Sequence, residues 1–331
     1  MRAMVLEKIG QPLILKDVPC PFPQSSEILV KVRTCGVCRT DLHIIDGELP
    51  TPKLPLILGH QVVGTVTQLG KNASKFKIGD RVGIPWLGGS CCICEFCLSQ
   101  RENLCDHGIY TGYLRNGGFA EYCTAHENYA LKLPQKYTNL QAAPLLCAGL
   151  IGYRAFRLAE PNKTIGFYGF GSSAHLLIQI ANALNHEAYV FTRPGDEKGQ
   201  SFAYSLGAKW AGDSTMLPPI PLDAALIFAP VGSLYPLALK AIKKGGKVIS
   251  AGIHMSDIPS FPYSLLWGER SISSVANLTR QDGIDFMHIS DLLDLQINVT
   301  SFQLEEANQA LTAIKNGTIK GSAVLKIANE S

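Results

Sequence analysis

The sequence lacks the features of membrane and secreted proteins. No stretch approaches the roughly 18 consecutive apolar residues that a membrane-spanning helix needs. The first residues, MRAMVLEKIGQPLILKD, contain neither a continuous apolar core nor a small-residue cleavage site, so we expect no signal peptide. We therefore expect a cytoplasmic protein with no membrane partner.

Charge is also scarce and nearly balanced. Only 17% of the residues are charged, the formal net charge is +3, and no run of like charge occurs. A nucleic-acid-binding surface usually concentrates basic residues in a patch, so we expect no nucleic-acid partner. By contrast, 46% of the 331 residues are hydrophobic, which is enough to bury sizeable cores in about two domains.

Cysteine is abundant, and four of the ten cysteines form one tight run. Cys91, Cys94, Cys97 and Cys105 have the spacing C-x2-C-x2-C-x7-C. Four thiolates can complete the tetrahedral shell of one zinc ion and leave no open position, so this zinc would be structural. Two disulfides are the alternative, and the expected cytosolic location disfavours them. Cys92 lies off this spacing and is not a predicted ligand.

The first 150 residues are rich in short β runs, Gly and Pro. Residues 28–34, 62–70 and 80–85 are predicted strands between turn signals. Long helical periodicity is absent until about residue 140. This part of the chain therefore predicts an antiparallel, partly barrel-like β domain.

After about residue 150, strands and helices alternate. An apolar run at 164–171 precedes a helical pattern at 172–185 and a strand at 188–192. A strand at 222–229, a helix at 233–243 and a strand at 246–252 continue the alternation. This order predicts a parallel, doubly wound sheet. Beyond about residue 285 we expect two helices and a closing strand at 322–327.

A glycine-rich turn of the form G-x-G-x-x-A joins the first of these strands to its helix. Gly169 permits the tight turn, Gly171 lets a pyrophosphate approach the backbone, and Ala174 lets the helix pack closely. Ser172 and Ser173 can bond phosphate, and the helix N-terminus favours an anion. An ordinary strand-to-helix turn is the alternative to a dinucleotide site.

The next strand ends without the carboxylate that usually binds the ribose of NAD. The strand ends at Thr192 and Arg193, with Lys198 nearby. Positive charge at this place suits a 2′-phosphate, so NADP(H) is favoured and NAD(H) remains possible. The alternative is that Arg193 is only a solvated surface residue.

A second possible metal-binding set lies in the predicted β domain. Cys38 occurs in CGVCRTDLH, His60 in LILGHQVVG and Cys147 in PLLCAGLIGY. Each alone is more often a buried small residue or an ordinary histidine. Together, two thiolates and one imidazole can bind zinc and leave a fourth position open to water or substrate.

The order of these motifs resembles that of zinc-dependent, medium-chain alcohol dehydrogenases. The motifs include CGVCRTDLH, PLILGHQVVGTV, GDRVGIPW, the four-cysteine run and GGFAEYC, and they cover nearly the whole chain. The resemblance implies an α/β plus β fold with an active site between two domains. These are a GroES-like catalytic domain (1–150 and 285–331, with a structural zinc lobe at about 88–106) and an inserted Rossmann domain (151–284) with a doubly wound parallel sheet.

The resemblance also implies roles for residues around the second set, which would hold the catalytic zinc. Asp41 would fix the ring of His60. Thr40 would bond the substrate oxygen and pass its proton by way of the ribose to His43 near the surface. Zinc would act as a Lewis acid while hydride moves between an alcohol, or an aldehyde or ketone, and the nicotinamide.

The sequence departs from the family pattern at a few positions. Gln61 follows His60 where most relatives have Glu, which removes a carboxylate near the zinc. Lys320 stands where many relatives have an Arg on the pyrophosphate, and Lys offers a point charge rather than a planar fork. Arg280 is a further basic candidate for a cofactor contact.

The resemblance predicts an alcohol dehydrogenase with two zinc ions per chain, assembled as a homodimer or homotetramer. Two alternatives remain: a zinc-independent quinone or enoyl reductase of the same superfamily, and a non-catalytic zinc or thiol redox sensor that uses Cys92. By their position in the family, the expected substrate-pocket residues are Trp86, Leu87, Tyr110, Leu150 and Trp267.

Overall fold

A computed structural model describes residues 1–50, 52–160 and 163–328 of the chain. The chain divides into two compact units, Met1–Leu150 with Leu278–Ser331, and Ile151–Asn277. The sequence predicts the return to the first unit at about residue 285, and in the structure it falls at Leu278. Within the described residues, no helix has the length and apolar character that crossing a membrane requires.

The first unit begins with short strands and a few short helices. The strands are β1 (Arg2–Leu6), β2 (Ile14–Asp17), β3 (Glu27–Val37), β4 (Leu56–Ile57), β5 (Val62–Leu69), β6 (Arg81–Ile84), β7 (Leu87–Gly89), β8 (Ile109–Tyr110), β9 (Tyr122–His126) and β10 (Leu131–Lys132). The helices are α1 (Arg39–Ile45), α2 (Glu95–Leu98) and α3 (Asn139–Pro144), and a π-helical turn, Leu145–Gly149, follows α3.

The second unit alternates helices and strands. In chain order these are α4 (Leu150–Ala159), β11 (Thr164–Tyr168), α5 (Ser172–Ala183), β12 (Glu187–Thr192), α6 (Glu197–Ser205), β13 (Trp210–Asp213), β14 (Leu222–Ile227), α7 (Leu234–Ala241), β15 (Ile242–Ser250) and β16 (Ser271–Ser274). The strands form one parallel sheet in the order β13-β12-β11-β14-β15-β16. This is the predicted doubly wound sheet, and its strand order reverses between β11 and β14, where such sheets bind ligands.

The chain then returns to the first unit through α8 (Arg280–Leu292), β17 (Val299–Gln303), α9 (Ala307–Lys315) and β18 (Ser322–Lys326). The two predicted helices and the closing strand are confirmed. β17 was not predicted, because an edge strand with mostly exposed side chains lacks a clear apolar alternation. Helix α8 belongs to the first unit because its Phe286 fills the space beside Gly149, where a Cβ would lie 2.4 Å from the ring.

The largest sheet of the first unit has the order β10-β6-β5-β3-β18-β17, and β9 also pairs with β3. Its three predicted strands are observed as β3, β5 and β6, which pair antiparallel. A smaller sheet has the order β2-β1-β4. Apolar side chains from both sheets and from α9 form one core, in which Val30, Val32 and Leu325 are fully buried.

Helix α1 is a short helix that the sequence did not predict before residue 140. It has seven residues, too few for a visible helical period in the sequence. A capping box starts it: the Asp41 carboxylate accepts the N–H of Cys38, and the Cys38 side chain receives the N–H of Asp41. The helix matters because it carries Thr40, Asp41 and His43.

Candidate metal centres and cofactor site

Three potential metal ligands from distant parts of the chain meet in the first unit. Cys38 caps α1, His60 lies between β4 and β5, and Cys147 lies in the π-helical turn. Their ligand atoms all lie within 4.8 Å of one another. Cys38 Sγ is 3.2 Å from His60 Nε2 and 4.0 Å from Cys147 Sγ. π-Helical turns are rare and frequently occur at functional sites.

Asp41 links two of these ligands. Its Oδ2 accepts the backbone N–H of Cys38 at 2.9 Å, and its Oδ1 faces His60 Nδ1 at 3.5 Å. The side chains of Asp41 and His60 are completely buried, and among the described residues these two facing atoms have no other partner. A separation of 3.5 Å is longer than an ordinary hydrogen bond. Charge attraction across this contact therefore orients the imidazole ring.

The charges of this cluster shift the pKa values of its members. A hydrogen bond from the Cys147 thiol, opposed by burial and aided by His60, holds the pKa of Cys38 well below its usual value. Burial would lower the pKa of His60, but the Cys38 thiolate and the Asp41 carboxylate raise it to about 10. The site thus stabilises a thiolate at Cys38, which is the form that binds metal.

This donor set fits a zinc ion. Zinc binds thiolate sulfur at about 2.3 Å and imidazole nitrogen at about 2.0–2.1 Å, so tetrahedral ligand atoms lie roughly 3.6–3.8 Å apart. The separations of 3.2 and 4.0 Å lie on either side of this range. His60 also meets the requirement that the second nitrogen of a ligand histidine faces a carboxylate, here that of Asp41. Three protein ligands leave one position open.

Thr40 and His43 extend from α1 beside this ligand set. The Thr40 hydroxyl lies close enough to Cys38 to bond its sulfur and lower its pKa. The His43 residue is 8% exposed, and its Nδ1 is bonded to the carboxylate of Glu48, which is exposed. Its role in proton transfer remains a prediction.

An aromatic stack lies against the ligand histidine. The Trp86 ring meets the His60 ring edge-on at 5.1 Å, and Tyr110 and Tyr113 stack on Trp86 at 5.2 and 5.7 Å. Trp86 is 5% exposed. Of the expected pocket residues, Trp86 thus lies against His60 and Tyr110 lies against Trp86, whereas Trp267 is exposed in the second unit.

Gln61 is buried next to His60. Its backbone carbonyl accepts the N–H of Gly36 at 3.0 Å. Its side chain lies over the same glycine, since a Cβ on Gly36 would be 2.4 Å from Gln61 Oε1. Position 36 in the CGVC motif therefore requires glycine, because the Gln61 side chain leaves no room for a Cβ. An influence of Gln61 on the metal remains a prediction.

The four cysteines of the run lie in one segment between β7 and β8. Their sulfur atoms are all within 4.8 Å of one another. Cys97 Sγ is 3.9 Å from Cys91 Sγ and 3.5 Å from Cys94 Sγ. The backbone N–H of Cys91 donates to Cys105 Sγ at 3.4 Å. Hydrogen bonds from the N–H groups of Ile93 and Cys94 lower the pKa of Cys91 to about 6, which favours its thiolate.

The geometry of this segment suits one zinc ion and no disulfide. A disulfide needs about 2.05 Å between sulfur atoms, whereas thiolates around one zinc lie roughly 3.8 Å apart. All the cysteines of the chain are free thiols. Cys92 does not join the set, because its backbone has φ +63° and its Sγ lies 3.8 Å from Ser90 Oγ and 3.9 Å from the Tyr129 hydroxyl.

The glycine-rich turn in the second unit has the features of a phosphate-binding turn. Gly169 has φ +91°, and a Cβ there would be 2.9 Å from Ala229, so only glycine fits. Gly171 caps the N-terminus of α5, and a Cβ there would meet nothing within 4 Å. No neighbouring group explains this glycine, and the open space suits a close-lying pyrophosphate. Ala174 is fully buried where α5 packs on the sheet.

Two cations follow the end of β12, Arg193 in the turn and Lys198 on α6. Both side chains are exposed, and neither has a hydrogen-bond or ion-pair partner among the described residues. Thr192, by contrast, is 2% exposed, and its hydroxyl donates to the Arg193 carbonyl and accepts from Gln200 Nε2. Thr192 therefore supports this corner from within, and its expected contact with the cofactor remains a prediction.

Comparison with known proteins places the chain in a family. A family model described as an alcohol dehydrogenase GroES-like domain matches residues 24–135. A probable alcohol dehydrogenase of Mycobacterium tuberculosis is 43% identical over 315 residues, which cover 93% of this chain and 90% of that relative. The chain belongs to the medium-chain alcohol dehydrogenase family. An alcohol dehydrogenase of Geobacillus stearothermophilus is 34% identical over 100% of both chains.

Solved structures share the fold of this alcohol dehydrogenase family member. Acetophenone reductase from Geotrichum candidum, in complex with NAD, has a TM-score of 0.89 and 27% identity and covers 98% of this chain and 97% of its own. Cinnamyl alcohol dehydrogenase from Sorghum bicolor has a TM-score of 0.90 and 23% identity over 100% of this chain and 98% of its own. Family membership makes the chain an NAD(P)-dependent oxidoreductase.

Arg280 forms an ion pair within the first unit, and its expected contact with the cofactor remains a prediction. Its N–H and Nε donate to the carboxylate of Glu102 at 2.8 and 3.0 Å, and its guanidinium lies over the Tyr129 ring. Glu102 lies between the third and fourth cysteines of the run and has a side chain only 3% exposed. Arg280 therefore ties the four-cysteine segment to α8. Lys320 precedes β18 in the first unit, and its proposed contact with the pyrophosphate remains a prediction.

Several polar residues of these sites were not predicted from the sequence. Glu48, Glu102, Gln200 and Asp213 belong to no short motif and are separated in the sequence from the groups that they bind. A weak signal was available for Glu102, since a carboxylate between closely spaced metal ligands has to find a cation or water. No comparable signal marked the other three.

Proposed function

We propose that this protein is a zinc-dependent alcohol dehydrogenase. It transfers hydride between primary or secondary alcohols, or the matching aldehydes and ketones, and NADP(H). The observation that carries the proposal is the meeting of Cys38, His60 and Cys147 around one point, with Asp41 behind the histidine. A zinc-independent quinone or enoyl reductase has no use for such a set, which disfavours that alternative.

The residues of the chain divide the work at this centre. When bound there, zinc supplies Lewis-acid polarisation of the substrate oxygen, and the nicotinamide supplies or accepts hydride. Asp41 holds the ligand geometry through Cys38 and His60. Thr40 orients the substrate hydroxyl and exchanges its proton, and His43 takes that proton onward. The His43–Glu48 pair supports this path, because Glu48 reaches solvent.

The cofactor preference rests on the charge at the end of β12. Two unpaired cations, Arg193 and Lys198, and the absence of a carboxylate at this strand end favour the 2′-phosphate of NADP(H). Gly169 and Gly171, with the N-terminus of α5 that carries Ser172 and Ser173, would take the pyrophosphate. Relatives of known structure bind either NADP(H) or NAD, so NAD(H) is the second cofactor to test.

The four-cysteine segment is the proposed site of a second, structural zinc. Its four sulfur ligands leave no open position.

The stack of Trp86, Tyr110 and Tyr113 beside the first site supports apolar or aromatic substrates.

The family also leads us to propose a homodimer or homotetramer. The free thiols favour a reducing, cytoplasmic location.

Metal content and turnover together test the proposal. Protein purified without added metal should contain two zinc ions per chain by elemental analysis. It should oxidise members of an alcohol panel and reduce the matching carbonyls, with NADPH preferred over NADH. Removal of the more labile zinc should abolish turnover, and its return should restore it. Zinc-independent reduction of quinones would instead establish the alternative reductase, and no turnover by the zinc-loaded protein would favour a sensor.

A further inference from the structure

Three polar side chains lock the corner of the second unit where β12 ends. Gln200 Nε2, on α6, donates to Thr192 Oγ1 at 3.0 Å and to Asp213 Oδ1 at 2.9 Å. Thr192 and Asp213 are aligned neighbours at the ends of the paired strands β12 and β13. Asp213 Oδ1 also accepts the N–H of Gly195 at 3.2 Å. We call this set, Thr192, Gln200 and Asp213, the Asp213 latch.

The Asp213 latch fixes the turn that carries Arg193. This turn runs from Arg193 to Asp196, whose N–H donates to the Arg193 carbonyl at 3.1 Å. Gly195 has φ +77°, and a Cβ there would meet nothing within 4 Å, so packing does not hold it. Hydrogen bonds thus fix the turn: Asp213 binds it at Gly195, and Thr192 binds it at the Arg193 carbonyl.

The latch lies on the side of the sheet where a cofactor is expected. Ligands of doubly wound sheets bind beyond the carboxyl ends of the strands, and Thr192 and Asp213 are the last residues of β12 and β13. A bridge that served only to join the two strands would not need to reach Gly195 in the turn. A fixed turn also lowers the ordering cost of bringing a long, unpaired arginine to an anion.

We propose that Gln200 and Asp213 are positioning residues that determine cofactor specificity. They hold the backbone of the turn so that the Arg193 guanidinium meets the 2′-phosphate of NADP(H). The proposal rests on the NADP(H) preference proposed above and adds its physical basis. Asp213 acts through its acceptor oxygen rather than through its charge, since Oδ1 receives both hydrogen bonds.

Small adenosine ligands test the latch without turnover or zinc. We would measure calorimetrically the binding of adenosine 2′,5′-bisphosphate and of 5′-AMP to the full-length protein and its variants. Gln200→Met and Asp213→Ala should weaken the bisphosphate roughly three- to ten-fold, the usual range for lost hydrogen bonds, and leave 5′-AMP unchanged. Asp213→Asn keeps the acceptor oxygen and should retain binding near that of the wild type. Gln281→Met, at an exposed glutamine bonded to Asp285, is the matched control.

A double-mutant comparison shows whether the latch acts through Arg193. Arg193→Ala alone should lower bisphosphate binding, and adding Gln200→Met should lower it no further. If Arg193→Ala weakens bisphosphate binding but Gln200→Met and Asp213→Ala leave the ratio of the two ligand affinities unchanged, the latch proposal is wrong and the cofactor preference stands. The latch proposal is also wrong if Gln200→Met lowers bisphosphate affinity by the same factor in the wild type and in Arg193→Ala. If Arg193→Ala does not change bisphosphate affinity, both proposals are wrong.

Discussion

The two sets of cysteine ligands in the first unit are built in opposite ways. Cys91, Cys94, Cys97 and Cys105 come from one segment, and the first three are partly exposed. In the other set, His60 follows Cys38 by 22 positions and Cys147 follows it by 109 positions. His60 is completely buried. The four cysteines lie in one closed loop, and we call them the local set. Cys38, His60 and Cys147 lie on elements that the fold brings together, and we call them the distributed set.

This difference indicates what each proposed zinc would do for the protein. The local segment contains few buried side chains of its own, so a zinc bound there would contribute folding free energy. The distributed ligands are already placed by α1, the β4–β5 connection and the π-helical turn. A zinc bound by them would add less to the fold and more to chemistry.

The largest effect should follow loss of a ligand from the distributed set. Cys38→Ser should lower kcat on the order of 10³-fold or more, because Lewis-acid stabilisation contributes several kcal/mol to the transition state. The melting temperature should change by only a few degrees. Steady-state kinetics and calorimetry measure both. Cys123→Ser, at a buried cysteine outside both sets, is the control. A melting temperature as low as that of the next variant would contradict the contrast.

Loss of a ligand from the local set should act on stability. Cys94→Ser should reduce the zinc content to about one per chain and lower the melting temperature by on the order of 10 °C, as expected for several kcal/mol of lost stability. Any remaining folded protein should keep its turnover number. Cys92→Ser, at the cysteine that follows Cys91 but is not a predicted ligand, should change neither the zinc content nor the melting temperature. Full stability of Cys94→Ser with one zinc would refute a structural role.

Asp41 should matter for the metal more than for the helix that it starts. Asp41→Asn should weaken zinc binding at the distributed set about 10–100-fold, since partners behind a ligand histidine have effects of this size. Competition with a chelator gives the affinity without reference to turnover. Asp282→Asn removes the corresponding capping-box carboxylate of α8 and should cost stability only. Equal zinc affinities for the two variants would show that Asp41 acts only as a helix cap.

Gln61→Glu should have the smallest effect. A new carboxylate beside His60 adds negative charge near the distributed set and disfavours loss of a proton there. The apparent pKa that governs alcohol oxidation should therefore rise by roughly one unit. The pH profile must be taken where hydride transfer limits the rate. Identical profiles for both proteins would show that residue 61 acts only on Gly36, over which its side chain lies.

The sequence was most informative where chemistry is concentrated in short motifs. Closely spaced cysteines, the glycine turn after an apolar strand and the CGVC and GHQ segments identified sites whose geometry the fold then assembled. The strands β3, β5 and β6 and the parallel sheet were also predictable, because apolar periodicity records which faces are buried. Convergence of Cys38, His60 and Cys147 itself followed only from the resemblance, because spacing does not encode distant contacts.

The features that escaped prediction depend on contacts between distant residues. Helix α1 is too short for its period to be seen, although it carries Thr40, Asp41 and His43. Arg280 was a candidate for a cofactor contact because of its charge, and its ion pair with the buried carboxylate of Glu102 was not predicted. A buried carboxylate needs a cationic or N–H partner, and the sequence does not reveal which one the fold supplies.

The central position of β3 sets an order of events during synthesis. This strand leads directly into Cys38, and it pairs with β5 on one side and with β18, which begins at Ser322, on the other. The second unit, continuous from Ile151 to Asn277, has all its strands before β18 leaves the ribosome. Domains generally fold as units and in chain order. We therefore expect the second unit to fold first, and the first unit to complete its sheet only when β18 is available.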